Sequence, residues 1–171
     1  MKRILLAAAL IISLAGAAAA ETTATLGNVH LCCKACVNGV TKAVGKVSGV
    51  TATCDMKAGT VQLSAADAAA VQKAVDAIVA AGYFGTSDGA VVVKDNSGAK
   101  DAKISSLKVS GVHLCCGKCV SAVDDAVKGV KGVSAHTAEK GSESFTVTGD
   151  FNAKELFAAL HKAGFAGKAG K

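Results

Sequence analysis

The chain has 171 residues, with 19 Lys and Arg against 13 Asp and Glu, 7 Cys, 19 Gly, one Tyr, and neither Pro nor Trp. That length excludes a large enzyme. Only 4% of residues are aromatic and the lysines are scattered among acids, so the charged tracts and stacking rings of a nucleic-acid binder are missing.

Residues 1–20 open on Lys2 and Arg3, run apolar from Ile4 to Leu14, and close on small residues as far as Ala20. This order of charge, apolar run and small residues reads as a secretory signal peptide cut after Ala20. The expected location is periplasmic or secreted, without stable membrane insertion after cleavage. The remaining 151 residues carry 17 basic and 13 acidic side chains, a mild +4.

The next feature is a repeat. Val29-His30-Leu31-Cys32-Cys33-Lys34-Ala35-Cys36-Val37 returns 83 positions later as Val112-His113-Leu114-Cys115-Cys116-Gly117-Lys118-Cys119-Val120, with seven of nine residues identical. Val40, Val44, Val47, Gly49 and Val50 are matched by Val123, Val127, Val130, Gly132 and Val133 at the same offset. Ala81-Gly82-Tyr83-Phe84-Gly85 answers to Ala163-Gly164-Phe165-Ala166-Gly167. A duplicated unit of this size is the first thing to settle in a sequence, because it fixes the architecture. The expected division is a unit over residues 21–94, a polar small-residue linker over 95–103, and a second unit over 104–171.

Within the first unit, alternation from Thr25 to Leu31 predicts a strand, with Val29 and Leu31 on one side and His30 on the other, wet side. Val37, Val40, Val44 and Val47 are spaced 3, 4, 3, the stripe of a half-buried helix. Alternation at Val50, Ala52 and Cys54, then at Val61 and Leu63, predicts a hairpin around Lys57-Ala58-Gly59. Val71, Val75 and Ile78 predict a second helix ending at Gly82, and Val91–Val93 predicts the firmest part of a last strand. The second unit repeats the order over Leu107–Leu114, Val120–Val130, Val133–Thr137, Phe145–Val147 and Leu156–Ala163, with a short final strand. The fold expected is α+β: two tandem ferredoxin-like βαββαβ domains, each an antiparallel sheet with two helices on one face.

The cysteines fall where a strand hands over to a helix. Unpaired N–H groups and the positive end of the helix dipole favour thiolate there. Converging thiolates on an accessible tip suit soft ions: Cu(I) foremost, then Zn(II), Hg(II) or Cd(II). Each unit also resembles a heavy-metal-associated domain, the module of copper chaperones, of the amino-terminal arms of copper-transporting ATPases and of the periplasmic mercury-binding protein. That resemblance covers nearly all of the chain after residue 20. It implies that Cys33 and Cys36, and Cys116 and Cys119, bind the metal, and that a metal-transporting ATPase or another metal-binding protein is a partner.

Two departures from the family's Gly-Met-x-Cys-x-x-Cys pattern matter. His30-Leu31 and His113-Leu114 replace Gly-Met, and a further Cys precedes the first motif Cys, at Cys32 and Cys115. Cys32 and Cys115 are candidate third ligands, and His30 and His113 are candidate ligands or supports. Tyr83 and Phe165 shield the site or fill the core. Cys54, His136 and His161 have no such role: Cys54 is expected in the core and the two histidines at the surface.

Three functions compete. The first is a non-enzymatic exported protein that captures, buffers or hands on a soft ion. The second is a thiol-disulfide oxidoreductase using the Cys-x-x-Cys pairs; against it stands the lack of any proline, since thioredoxin-type enzymes set a cis-proline beside that motif. The third is a pair of structural domains tied by disulfides, as an oxidising compartment allows, though seven cysteines leave at least one without an intramolecular partner.

Overall fold

A computed structural model describes residues 21–170; the signal-peptide reading of residues 1–20 lies outside them. The first unit runs β1 (Thr22–Gly27), α1 (Lys34–Val44), β2 (Val50–Asp55), β3 (Thr60–Ala65), α2 (Ala68–Ala80) and β4 (Thr86–Ser87). The second runs β5 (Lys103–Ser110), α3 (Gly117–Lys128), β6 (Val133–His136), β7 (Ser144–Asn152), α4 (Ala153–Lys162) and β8 (Lys168–Ala169). The two sheets are four-stranded and antiparallel, ordered β2-β3-β1-β4 and β6-β7-β5-β8. This is the βαββαβ order expected, twice.

Alternation sorts the sheet faces. Ala24 and Leu26 of β1 and Val61, Leu63 and Ala65 of β3 are buried, with exposed or half-buried polar residues between them. Leu107 and Val109 of β5 and Phe145, Val147 and Phe151 of β7 do the same in the second unit. Helices at i, i+4 and i+8 close these faces: Cys36, Val40 and Val44 on α1, Cys119, Val123 and Val127 on α3. Buried residues from both units form one continuous core cluster.

The first strand of each unit ends earlier than alternation predicts. β1 stops at Gly27, and Asn28 turns the chain with φ 56°; in the second unit Gly111 does so with φ 72°. Past that turn the residues no longer alternate across a sheet, so His30 and His113 do not lie on the wet face. Val91–Val93 is not a strand either. Val92 gives its N–H to Gln72 Oε1 at 2.9 Å and its carbonyl accepts from Gln72 Nε2 at 2.8 Å, so a side-chain amide replaces a ladder partner. The paired part of that segment is β4, which meets β1 at Leu26–Gly27.

Residues between the sheets are pinned rather than loose. Ser97 is buried, and its carbonyl accepts from the Ala169 N–H at 2.8 Å. Cys54 is half-buried and packs against the core's margin. His136 and His161 are not surface residues. His136 bonds Asp124 at 2.8 Å, and His161 stacks on Phe84 with ring centres 3.8 Å apart. Each pairs a ring with a neighbour contributed by another element, which no single-element periodicity can reveal. No described helix is long and apolar enough to cross a membrane.

Candidate metal centre at the seam of the two units

The Cys-rich turns do not point into solvent as separate tips; they face each other. Two glycines allow the approach. Gly82, which ends α2 with φ 89°, lies so near the second unit that a Cβ there would stand 2.6 Å from the Gly111 carbonyl oxygen and 2.7 Å from the His113 nitrogen. Gly164, its counterpart after α4 with φ 85°, would put a Cβ 2.5 Å from the His30 nitrogen. Only a residue without a side chain fits there.

Backbone and ring contacts then join the units. Tyr83 and Phe165 form an antiparallel bridge, with Phe84 N–H donating to Gly164 O at 3.1 Å and Ala166 N–H to Gly82 O at 3.0 Å. His113 stacks between Tyr83, at 3.8 Å, and Phe165, at 4.7 Å, while His30 lies 4.5 Å from Phe165. Tyr83 and Phe165 are both buried. They fill the core and wall the seam at once, so both readings of them hold.

Six sulfurs gather behind these rings. Within units, Cys32–Cys36 is 3.6 Å, Cys33–Cys36 3.7 Å, Cys115–Cys119 3.5 Å and Cys116–Cys119 3.9 Å. Across the seam, Cys32–Cys116 is 3.3 Å, Cys32–Cys119 3.5 Å, Cys33–Cys115 3.7 Å, Cys36–Cys115 3.3 Å and Cys36–Cys119 3.9 Å. With metal–sulfur bonds of about 2.3 Å, two sulfurs on one ion lie about 3.8–4.0 Å apart. The sulfurs are therefore already near the spacing that shared coordination requires. Cys36 and Cys119 are fully buried, the other four partly exposed. A groove lined by Cys32, Cys33, Cys116, Lys118, Ser121 and Asp125 opens onto the exposed side.

The histidines close the buried side. His30 groups with Cys32 and Cys119, and His113 with Cys36 and Cys119, each with ligand atoms within 4.8 Å of one another. His113 Nδ1 lies 2.7 Å from the Gly82 carbonyl. A carbonyl only accepts, so Nδ1 carries a hydrogen, and in the neutral ring that leaves the lone pair on Nε2, the tautomer a metal-binding histidine needs. Nε2 of both His30 and His113 is buried without a hydrogen-bond partner. Burial, and then the neighbouring His113, lowers the His30 pKa, which keeps that ring neutral. All eight residues expected at the site are thus brought together, in one cluster instead of two.

Protons on this cluster are unevenly held. A hydrogen bond from the Cys119 thiol is the chief cause holding Cys36 far below the ordinary thiol range, and the same contact pushes Cys119 up. Burial, with the contact to Cys116 next, raises Cys32; burial and Cys36 raise Cys115 to about 12. Cys116, at the amino end of α3, is drawn down to about 6, chiefly by the Cys119 backbone N–H. A thiol with a lowered pKa loses its nucleophilic form only as pH falls through that value. In metal-free reduced protein, Cys116 should therefore be alkylated fully at pH 7 and slowly below about pH 6, with Cys32 and Cys115 protected throughout. Peptide mapping by mass spectrometry checks this; equal labelling of Cys32 and Cys116 at pH 7 contradicts it.

Sequence reasoning missed the burial of Cys36 and Cys119, although a signal was present. Each begins an i, i+4, i+8 run with two buried valines, and so belongs to the inward stripe of its helix.

No curated protein matches the chain. A solution structure of the N-terminal soluble domains of Bacillus subtilis CopA aligns with 89% of this chain and 95% of that one, at 16% identity and a TM-score of 0.33. The sequence model of the heavy-metal-associated domain family matches residues 106–166, the stretch that holds Cys115, Cys116, Cys119 and His113. The second unit is therefore similar in sequence to the heavy-metal-associated domain family over residues 106–166, and the first unit repeats its cysteine motif and its strand and helix order.

Proposed function

We propose that this is an exported protein, periplasmic or secreted, that captures a soft thiophilic ion, Cu(I) foremost, and buffers it or passes it on. The observation that carries this reading is the convergence of six sulfurs at separations of 3.3–3.9 Å beside two unpartnered imidazole nitrogens. Sulfur and imidazole donors favour Cu(I) and its soft relatives, and no carboxylate stands among the grouped ligand atoms to suit a hard ion.

Capture follows from the proton inventory. An arriving ion meets Cys116 as thiolate at the open groove. As the ion is drawn in, it displaces protons from Cys32 and Cys115 into solvent, so binding strengthens as pH rises. Release runs by ligand exchange, in which a thiolate of a metal-transporting ATPase or another metal-binding protein adds to the ion at the groove before a resident sulfur departs.

The test is a titration of the reduced full chain with Cu(I) against a competing chelator. Replacing Cys33 and Cys116 together by Ser should cost about 100-fold or more in affinity, since even outer partners of a metal site cost 10–100-fold. Binding left unchanged by that double substitution would overturn the proposal.

A further inference from the structure

The extra cysteine of each motif touches its own unit's pair, Cys32–Cys36 at 3.6 Å and Cys115–Cys119 at 3.5 Å, and Cys115, Cys116 and Cys119 group within 4.8 Å, yet each also reaches both sulfurs of the other unit's pair within 3.7 Å. The Cys116–Cys119 pair has Cys32, from the other unit, at 3.3 and 3.5 Å. The Cys33–Cys36 pair has Cys115, again from the other unit, at 3.7 and 3.3 Å. Every edge of these two triangles is 3.9 Å or less. The three remaining bonded-range separations, Cys32–Cys36, Cys115–Cys119 and Cys36–Cys119, run between the triangles and tie them into one cage. The repeat that relates the units also exchanges the triangles, so equivalent filling places one ion on each.

Resting on the metal-binding reading above, we infer that the two units exchange ligands: Cys32 serves the Cys116–Cys119 pair and Cys115 serves the Cys33–Cys36 pair, giving a two-ion, six-sulfur centre for soft monovalent cations that neither unit forms alone. Each ion is held by three sulfurs, two from one helix start and one from across the seam. Loading is non-redox: each cation replaces thiol protons, which leave to solvent.

The discriminating experiment places the first ion. Cu(I) is added anaerobically to the full chain carrying Cys32→Ser, and backbone amide spectra are followed to one equivalent. Under exchange, the intact trio is Cys33, Cys36 and Cys115, so amides of Cys36 and Val37 on α1 shift first while Cys119 and Val120 on α3 stay. Cys115→Ser should reverse the order. If each extra cysteine served its own unit, Cys32→Ser would instead send the first ion to α3, and that result overturns the inference while leaving metal binding intact. Simultaneous shifts at both helices in both variants also overturn it. No shift at either helix in the unmutated chain at saturating Cu(I) removes the metal-binding reading and this inference together. Both substituted positions are partly exposed, and the same spectra show whether each variant is folded. Native mass spectrometry of the unmutated chain at saturating Cu(I) should show a two-ion form; a one-ion form that persists at saturation counts against the shared cage.

Discussion

Substituting alanine for Gly164 is expected to part the two units, although the new atom is a single methyl carbon. That carbon would stand 2.5 Å from the His30 nitrogen and 2.8 Å from the Asn28 carbonyl oxygen, both backbone atoms that cannot swing aside. The left-handed backbone at φ 85° adds about 1–2 kcal/mol for a residue with a Cβ. Relief comes only by backing the second unit away from the first, which stretches the Asn28 Nδ2 bond to the Lys162 carbonyl and pulls the sulfurs of Cys32 and Cys116 out of contact. The expected readouts are a lowered urea midpoint, altered amide shifts at Asn28 and His30 in the opposite unit, and weakened Cu(I) binding. Gly82→Ala should act alike from the other side, against Gly111 and His113. Unchanged shifts across the seam would show that the units do not depend on this approach.

Phe157→Ala carries the second large effect. Phe157 lies on the inward stripe of α4, is 0% exposed, and is among the largest fully buried side chains of the described residues. Emptying that volume should cost about 3–5 kcal/mol, a large share of the 5–15 kcal/mol that holds a typical domain together. Because the buried cluster is continuous across both units, the loss should be felt in the first unit too. Tyr83 is the chain's one tyrosine and sits in the first unit at the seam. Its fluorescence and the far-ultraviolet circular dichroism should therefore lose native signal together, at a lower urea concentration than in the unmutated chain. Two separated transitions, with Tyr83 reporting only the later one, would mean that the units unfold independently.

Much of this was legible because duplication doubled every signal. The recurrence of His-Leu-Cys-Cys-x-x-Cys at equivalent places marked the cysteines as a set, and the valine stripes with their intervening alternations fixed strand and helix order in each unit. What periodicity within one unit could not show was the seam. His30 looked wet because alternation was carried past Gly27, where Asn28 in fact ends the strand with a left-handed turn. Each cysteine tip looked open because the surface that covers it belongs to the other copy. The glycines that permit this, Gly82 and Gly164, were readable as helix ends, and that role is real. Their second role, admitting a foreign backbone, depends on a contact between residues 28–30 and 164 that no local pattern encodes. Val91–Val93 misled for a related reason: three valines suit a strand, but the Gln72 amide had already taken the hydrogen bonds of the middle one.

The pinned connection between the sheets sets how the sulfur cage responds to scarcity. Gln72 clamps Val92, and Ser97 is tied to Ala169, so the segment joining the units is held at both ends. Tethering of this kind turns a meeting of two bodies into an internal event at millimolar effective concentration. A cage shared by separate molecules would fall apart on dilution as its halves drift away. Here both halves travel on one polypeptide, so a lone molecule in a sparsely supplied compartment keeps its complete donor set.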